Sequence, residues 1–153
     1  MTVVFCGHST YIEKNNDKKK VLEILEERVG ENSCEFFLGE YGRFDFFAYD
    51  CAKAFKEKHP NAKLIFVTPY VIDQRGKEYA SYKRKKFDMI IYPELERAPL
   101  RYAISHRNRW MIKQADIVIS YIDHQYGGAY AMYRQAKAQN KELYNIAPSI
   151  IDF

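Results

Sequence analysis

The segment from Ala115 to Ala136, ADIVISYIDHQYGGAYAMYRQA, constrains the fold more than any other stretch: an apolar strand, a short polar loop, and a glycine pair opening a small-residue helix. Strand, turn and helix in that order make half of a crossover unit, and such units build parallel sheets covered by helices. Gly127 and Gly128 remove two side chains where the first N–H groups of a helix lack partners within it. An anion, most often a phosphate, can approach the positive end of such a helix. Nucleotide binding is therefore the leading functional reading of this segment.

The rest of the chain repeats the alternation. Val3 to Cys6 is a β-branched apolar run stopped by Gly7, and it reads as a buried first strand. A helix follows over about Lys18 to Val29, with Val21, Leu22, Leu25 and Val29 on one face. Cys34 to Leu38 is a second strand. Phe47, Cys51, Ala54 and Phe55 then mark a helix lying on a sheet and ended by Pro60. Leu64 to Val67 is a third strand, closed by Pro69. Tyr70 to Lys86 is polar and reads as a long irregular loop, a candidate site or lid. Met89 to Tyr92 is a short fourth strand before a loop holding Pro93 and Pro99. A helix over about Tyr102 to Gln114, a fifth strand at Ile117 to Tyr121, a helix to about Asn140 and a last strand at Leu143 to Ile146 complete the pattern. The expected fold is α/β: one three-layer Rossmann-like domain over residues 1–153, with a mainly parallel, doubly wound sheet.

Composition narrows the function. With 153 residues, 47% of them hydrophobic, the chain suits one domain with a continuous core and leaves no room for a second. The net charge of +4 is small and its basic residues are mixed with acids, so charge gives no argument for DNA. Tyr82 to Lys86 (YKRKK) is the one basic run, read first as a solvated loop. Cys6, Cys34 and Cys51 form no paired motif, which makes reduced thiols and a cytoplasmic location the expectation. No apolar stretch approaches the roughly 20 residues that span a bilayer, so no membrane partner is expected. His8, His59, His106 and His124 lie far apart without Cys or carboxylate at ligand spacing; neither a structural metal nor a cofactor is expected.

In a doubly wound sheet, ligands bind beyond the carboxyl ends of the strands. Three loops are expected there: Gly7-His8-Ser9-Thr10, Gly39 to Asp45, and Tyr121 to Gly128. Glycines admit a phosphate to backbone N–H groups, Ser9 and Thr10 can donate to its oxygens, and Asp45 or Asp123 could accept from ribose hydroxyls. Arg107 offers a forked donor for phosphate and Asn108 an amide for a sugar or base edge. Neither G-x-G-x-x-G after the first strand nor G-K-[ST] is present, which argues against an ordinary dehydrogenase or ATPase.

Together the motifs R-N-x-x-M, A-D-I-V-I and the glycine pair before a helix resemble the SLOG superfamily, which joins the Smf/DprA Rossmann domain and the Lonely Guy proteins. The opening F-C-G-H, the middle F-L-G-E-Y-G-R-F-D and K-L-I-F-V-T-P-Y are most similar to its YpsA-like branch. The resemblance implies a Rossmann-like fold and a nucleotide-related site at the strand-end loops. Carried over by position, it nominates Gly7, Gly39, Gly42, Asp45, Arg107, Asn108, Gly127 and Gly128. The Lonely Guy branch implies phosphoribohydrolase activity with a glutamate on the helix after P-G-G-x-G-T. This chain reads Y-G-G-A-Y-A-M-Y-R there, with Ala131, Met132, Tyr133 and Arg134 in that region and no carboxylate. Glu40, just after the second strand, is the candidate substitute, since deoxyribosyltransferases of related architecture use a glutamate nucleophile.

Three readings follow, in order. The first is a sensor-like nucleotide binder, with phosphate over Gly127 and Gly128, Arg107 as clamp, and Asp45 or Asp123 on the ribose; His8 and Ser9 complete its ligand set. The second is N-glycosidic cleavage or transfer on a nucleoside or its monophosphate, with Glu40 catalytic. Nucleic-acid binding ranks third, suggested by the kinship to the DNA-processing domain and by Tyr82 to Lys86, and nucleic acid is not the expected partner. The aromatic supply is compatible with a homodimer.

Overall fold

Alternating contacts along the first strand divide the core in two. Within β1 (Thr2–Gly7), Val3 and Phe5 join one apolar cluster while Val4 and Cys6 join the other, as the two-residue period of a strand requires. The computed structural model describes residues 1–93 and 99–148. Among them, β1 is joined by β2 (Glu35–Leu38), β3 (Lys63–Val67), β4 (Met89–Ile91), β5 (Ile117–Tyr121) and β6 (Glu142–Asn145) in one sheet. Every pairing is parallel and the order is β4-β3-β2-β1-β5-β6. The expected Rossmann-like α/β architecture is what the chain adopts.

On one face, α1 (Asp17–Arg28) and α2 (Arg43–Lys58) lay Val21, Leu25, Phe44, Phe47, Cys51 and Phe55 on Val3, Phe36 and Phe66. On the other, α4 (Ala103–Gln114) and α5 (Gly128–Ala138) bring Met111, Ile112, Met132 and Ala136 to Val4, Ile65 and Val118. Phe36, Phe44, Phe55, Leu25 and Ile112 are fully buried, each contributing roughly 1.5–3 kcal/mol through loss of apolar surface from water. Cys6, Cys34 and Cys51 are buried free thiols, and burial pushes each thiol upward in pKa. Among the described residues no helix is long and apolar enough to cross a membrane. The loop expected between Pro93 and Pro99 runs through residues 94–98, outside the described residues.

One expected element is corrected. Tyr70 to Lys86, read as an irregular loop, holds a short 3-10 turn (Ile72–Arg75) and a regular helix, α3 (Lys77–Lys86). The apolar stripe that would announce this helix is missing because lysines take its place on the inward face. Lys83 is buried, with its ammonium 4.5 Å from the Phe66 ring centre, and Lys86 lies 4.2 Å from that of Tyr49. Both ammonium groups pair with the Glu40 carboxylate, whose side chain is 1% exposed. Burial draws the Lys86 pKa down, but its hydrogen bond and attraction to Glu40 outweigh that and leave it raised. The basic run is thus partly an internal ion cluster that ties α3 to the end of β2.

Removing the shared anion would strand one buried cation, Lys83, and one partly buried cation, Lys86. Glu40→Gln is expected to lower the unfolding free energy by roughly 3–5 kcal/mol, read from urea denaturation at neutral pH. A loss under about 1 kcal/mol would mean that the two lysines are solvated as an exposed pair would be.

Candidate functional site

A parallel sheet gathers the carboxyl ends of its strands at one edge, and here the order reverses between β1 and β5. A cleft of about 520 Å3 opens at that reversal. Loops after β1, β2 and β5 supply its walls together with the start of α4, so segments far apart in the chain share one rim. Gly7, His8, Ser9, Gly42, Asp45, Arg107, Asn108, Gly127 and Gly128 all line it. Gly39, Glu40 and Asp123 do not line it: Gly39 lies under the Arg107 guanidinium, Glu40 faces α3, and Asp123 sits at the margin beside His8 and His124.

The five nominated glycines divide by what surrounds them. A Cβ on Gly7 would fall 2.1 Å from the buried Phe44 ring, one on Gly42 2.6 Å from Ser9, and one on Gly39 3.0 Å from Arg107. These three are glycine because protein atoms occupy the space. At Gly127 and Gly128 no heavy atom stands within 4 Å of the added carbon. Gly127 also adopts φ 92°, a backbone region open mainly to glycine, and turns the chain into α5. No side chain caps that helix, and Gly127, Gly128 and Ala129 at its start line the cleft.

Arg107 is 1% exposed and already engaged. Its Nη1 donates to the carbonyl oxygens of Gly39 (3.1 Å) and Val67 (2.8 Å), and its Nε to Asn108 Oδ1 (2.9 Å). Burial pulls its pKa down, opposed by the Asp45 carboxylate. The guanidinium therefore fastens α4 to the ends of β2 and β3. Asp45, in the first turn of α2, reaches back to accept from the Tyr41 N–H at 2.8 Å, much as in a capping box. Burial raises its pKa, and the Tyr41 hydrogen bond and Arg107 only partly counter this.

Several cleft residues were not singled out by sequence reasoning. Tyr41 and Tyr126 are 63% and 71% exposed, and Arg101 projects from a 3-10 turn (Leu100–Tyr102) that leads into α4. Tyr126 stands directly before the glycine pair, which was the available signal. At the margin, the His8 and His124 rings stack at 3.4 Å between centres, and Tyr126 leans on His124 at 4.2 Å.

The fold and site thus define a Rossmann-like domain with an open, uncapped helix start at its switch point. The chain matches no protein-family model and no curated protein. Solved structures share its fold, two DNA-processing proteins among them. One is DNA processing protein A from Helicobacter pylori, described by its single-stranded DNA binding mode: TM-score 0.63, 16% identity, 99% of this chain against 67% of that one. The other is DNA processing protein A (DprA) from Streptococcus pneumoniae: TM-score 0.65, 20% identity, 99% of this chain and 52% of that one. The chain thus spans about two thirds and about half of their lengths.

These likenesses correct two expectations. A nucleotide sensor or nucleoside-cleaving function is overturned, and so is the exclusion of nucleic acid as partner, because these two solved structures of the same fold are of DNA processing protein A, one of them described by its single-stranded DNA binding mode. The geometry supplies the physical reasons. The intended phosphate clamp, Arg107, is committed to carbonyls, and the intended nucleophile, Glu40, is held by two lysines away from the cleft.

Two outcomes are expected. Gly7→Ala should destabilise the fold by roughly 1–3 kcal/mol through overpacking against Phe44, measured by chemical denaturation. For Asp45 the sign is set by linkage: a carboxyl with a raised folded pKa binds more protons folded than unfolded, so stability falls as pH rises from about 4 through the folded pKa. Asp45→Asn keeps an acceptor for Tyr41, and its stability relative to wild type should therefore improve as pH rises above about 4 in urea titrations.

Proposed function

We propose that this domain binds single-stranded DNA across the cleft at the carboxyl edge of β1 and β5. The observation that carries the reading is an uncapped helix start, bare of side chains at Gly127 and Gly128, set in one cleft with two exposed tyrosines. A backbone phosphate fits the amide end of α5, where the helix dipole favours negative charge. Tyr41 and Tyr126 present flat faces on which bases can stack, and Arg101 adds a cation at the rim. Ser9 and Thr10 can donate further hydrogen bonds to phosphate oxygens. Stacking and phosphate contacts are tolerant of sequence, so little base preference is expected. The fold shared with DNA processing protein A supports the same partner.

The likeness to DprA agrees with the wider SLOG resemblance. Placement in the YpsA-like branch is our finer assignment and rests on F-C-G-H, F-L-G-E-Y-G-R-F-D and K-L-I-F-V-T-P-Y. A reducing, cytoplasmic setting is part of this reading and is supported by three buried, unpaired cysteines.

Fluorescence anisotropy with labelled oligothymidine tests the proposal. Saturable binding should weaken with salt, log K falling by about 0.7 per phosphate contact for each decade of salt. Tyr126→Ala should weaken it by roughly 5- to 150-fold, the equivalent of about 1–3 kcal/mol per stacked base. Gly128→Glu places a carboxylate at the helix start, in open space, and should abolish binding without loss of fold. Saturation that is absent at low salt, or unchanged in both variants, would overturn the reading.

A further inference from the structure

We propose that His124 is the positioning residue of the base-stacking contact: it carries the Tyr126 ring as the outer member of a three-ring column, to which a base of the bound strand adds a fourth ring. The inference rests on the single-strand reading above and says which residue fixes its stacking surface. The column shows in the ring geometry. His8 and His124 lie 3.4 Å apart between centres at 15°, and Tyr126 follows His124 at 4.2 Å and 34°. Exposure rises along it, from 7% for the His8 side chain through 30% for that of His124 to 71% for Tyr126. One end is therefore set in the protein and the other is open, and all three residues line the cleft.

The inner end is fixed by the sheet. β1 and β5 are neighbouring parallel strands with Gly7 opposite Tyr121, so His8 and the loop after Tyr121 leave the sheet side by side. His8 Nε2 accepts the Asp123 backbone N–H at 3.2 Å, which ties that loop to the end of β1. On the β6 side, the Ile122 N–H donates to Asn145 Oδ1 and the Ile122 carbonyl accepts from Asn145 Nδ2, both at 3.0 Å. The backbone as far as Asp123 is thus held from both flanks. His124 Nδ1 lies 2.7 Å from Asp123 Oδ1, and this contact together with the His8 ring sets the plane of the His124 ring.

Tyr126 depends on that plane. It stands between exposed Gln125 and Gly127, and Gly127 turns the chain at φ 92° without a side chain, so the adjoining backbone gives the ring no wall. The His124 ring is the wall it has. A tyrosine already laid on another ring gives up less rotational freedom when a base lands on it than one that swings in solvent. One face is then covered and the other is left for the base. Because Tyr126 directly precedes Gly127, this base seat adjoins the phosphate seat at the start of α5.

The test compares oligothymidine with a sugar–phosphate oligomer of equal length that has no bases, using the whole chain and fluorescence anisotropy. His124→Ala should weaken oligothymidine binding about 2- to 12-fold, the size of one aromatic pair, and leave affinity for the abasic oligomer unchanged. His124→Phe restores a flat ring without the Asp123 contact and should recover most of the loss. In a Tyr126→Ala background His124→Ala should cost nothing further, since it acts through Tyr126. Without any DNA, the Tyr126 ring protons should be shifted upfield in the NMR spectrum and return toward random-coil positions in His124→Ala. Equal oligothymidine affinity of His124→Ala and wild type, an equal loss on both oligomers, a full further loss in the Tyr126→Ala background, or unmoved Tyr126 signals would overturn the column. A wild type that binds neither oligomer removes the DNA reading and this contact with it, whereas a wild type that binds while His124→Ala is unchanged removes the column alone.

Discussion

A single guanidinium organises the carboxyl edge of this sheet. Arg107 enters from α4, is almost wholly excluded from solvent, and donates to carbonyl oxygens just beyond β2 and at the end of β3. Strand-end carbonyls past the last ladder bond would otherwise be buried without partners, at about 1–3 kcal/mol each. The same charge lies near Asp45, whose carboxylate holds the backbone entering α2. Arg107 therefore links α4, β2, β3 and α2 around one point. This ionic and hydrogen-bonded frame lines the cleft together with apolar side chains such as Phe5, Met111 and Met132.

That frame explains why the glycines of the edge are not equivalent. Around β1 and β2 they let protein approach protein: the Phe44 ring lies where a Gly7 side chain would be, and Arg107 presses on Gly39. At α5 the missing side chains leave space open to solvent. A small residue near a phosphate-binding helix can mean either, and the two demand opposite surroundings. The amide end of α5 is thus the part of the rim whose bareness serves no packing need, and that is why it, and not Gly7 or Gly42, anchors the ligand argument.

Much of the architecture was legible because its signals are local. The buried runs Val3 to Cys6 and Ile117 to Tyr121, and the stripe through Phe47, Cys51 and Phe55, carry periods that depend on the sheet faces alone. Helix α3 was not legible, since its inward face is made of Lys83 and Lys86, residues that read as solvent-exposed until Glu40, 43 residues earlier than Lys83, is placed beneath them. Glu40 itself takes φ 48°, which no neighbouring residue type announces. The loops of the cleft could be chosen from the sequence by the rule for parallel sheets, and they do meet. What each residue does there could not, because Arg107 and Asp45 take their roles from partners distant in the chain. The meeting of His8 with Asp123 and His124 is hidden in the sequence for the same reason, since the pairing of β1 with β5 closes a gap of 115 residues.

The shape of the rim also separates a strand from a mononucleotide. A small nucleotide is usually enclosed, with its base in an apolar pocket and its phosphates on charged side chains that are free to clamp. Here the buried guanidinium is already satisfied, and the largest aromatic faces, Tyr41 and Tyr126, stand at the mouth and are more than half exposed. Exposed rings at an opening gain little from a ligand that ends inside it. They gain most from a polymer that continues past it, because each further base can cover a ring that water now touches. Under the proposed DNA-binding reading, a net charge of only +4 leaves affinity to such local stacking together with the α5 amides, rather than to a general basic field. Binding by this surface should accordingly depend on a few residues at the switch point and tolerate charge changes elsewhere on the domain.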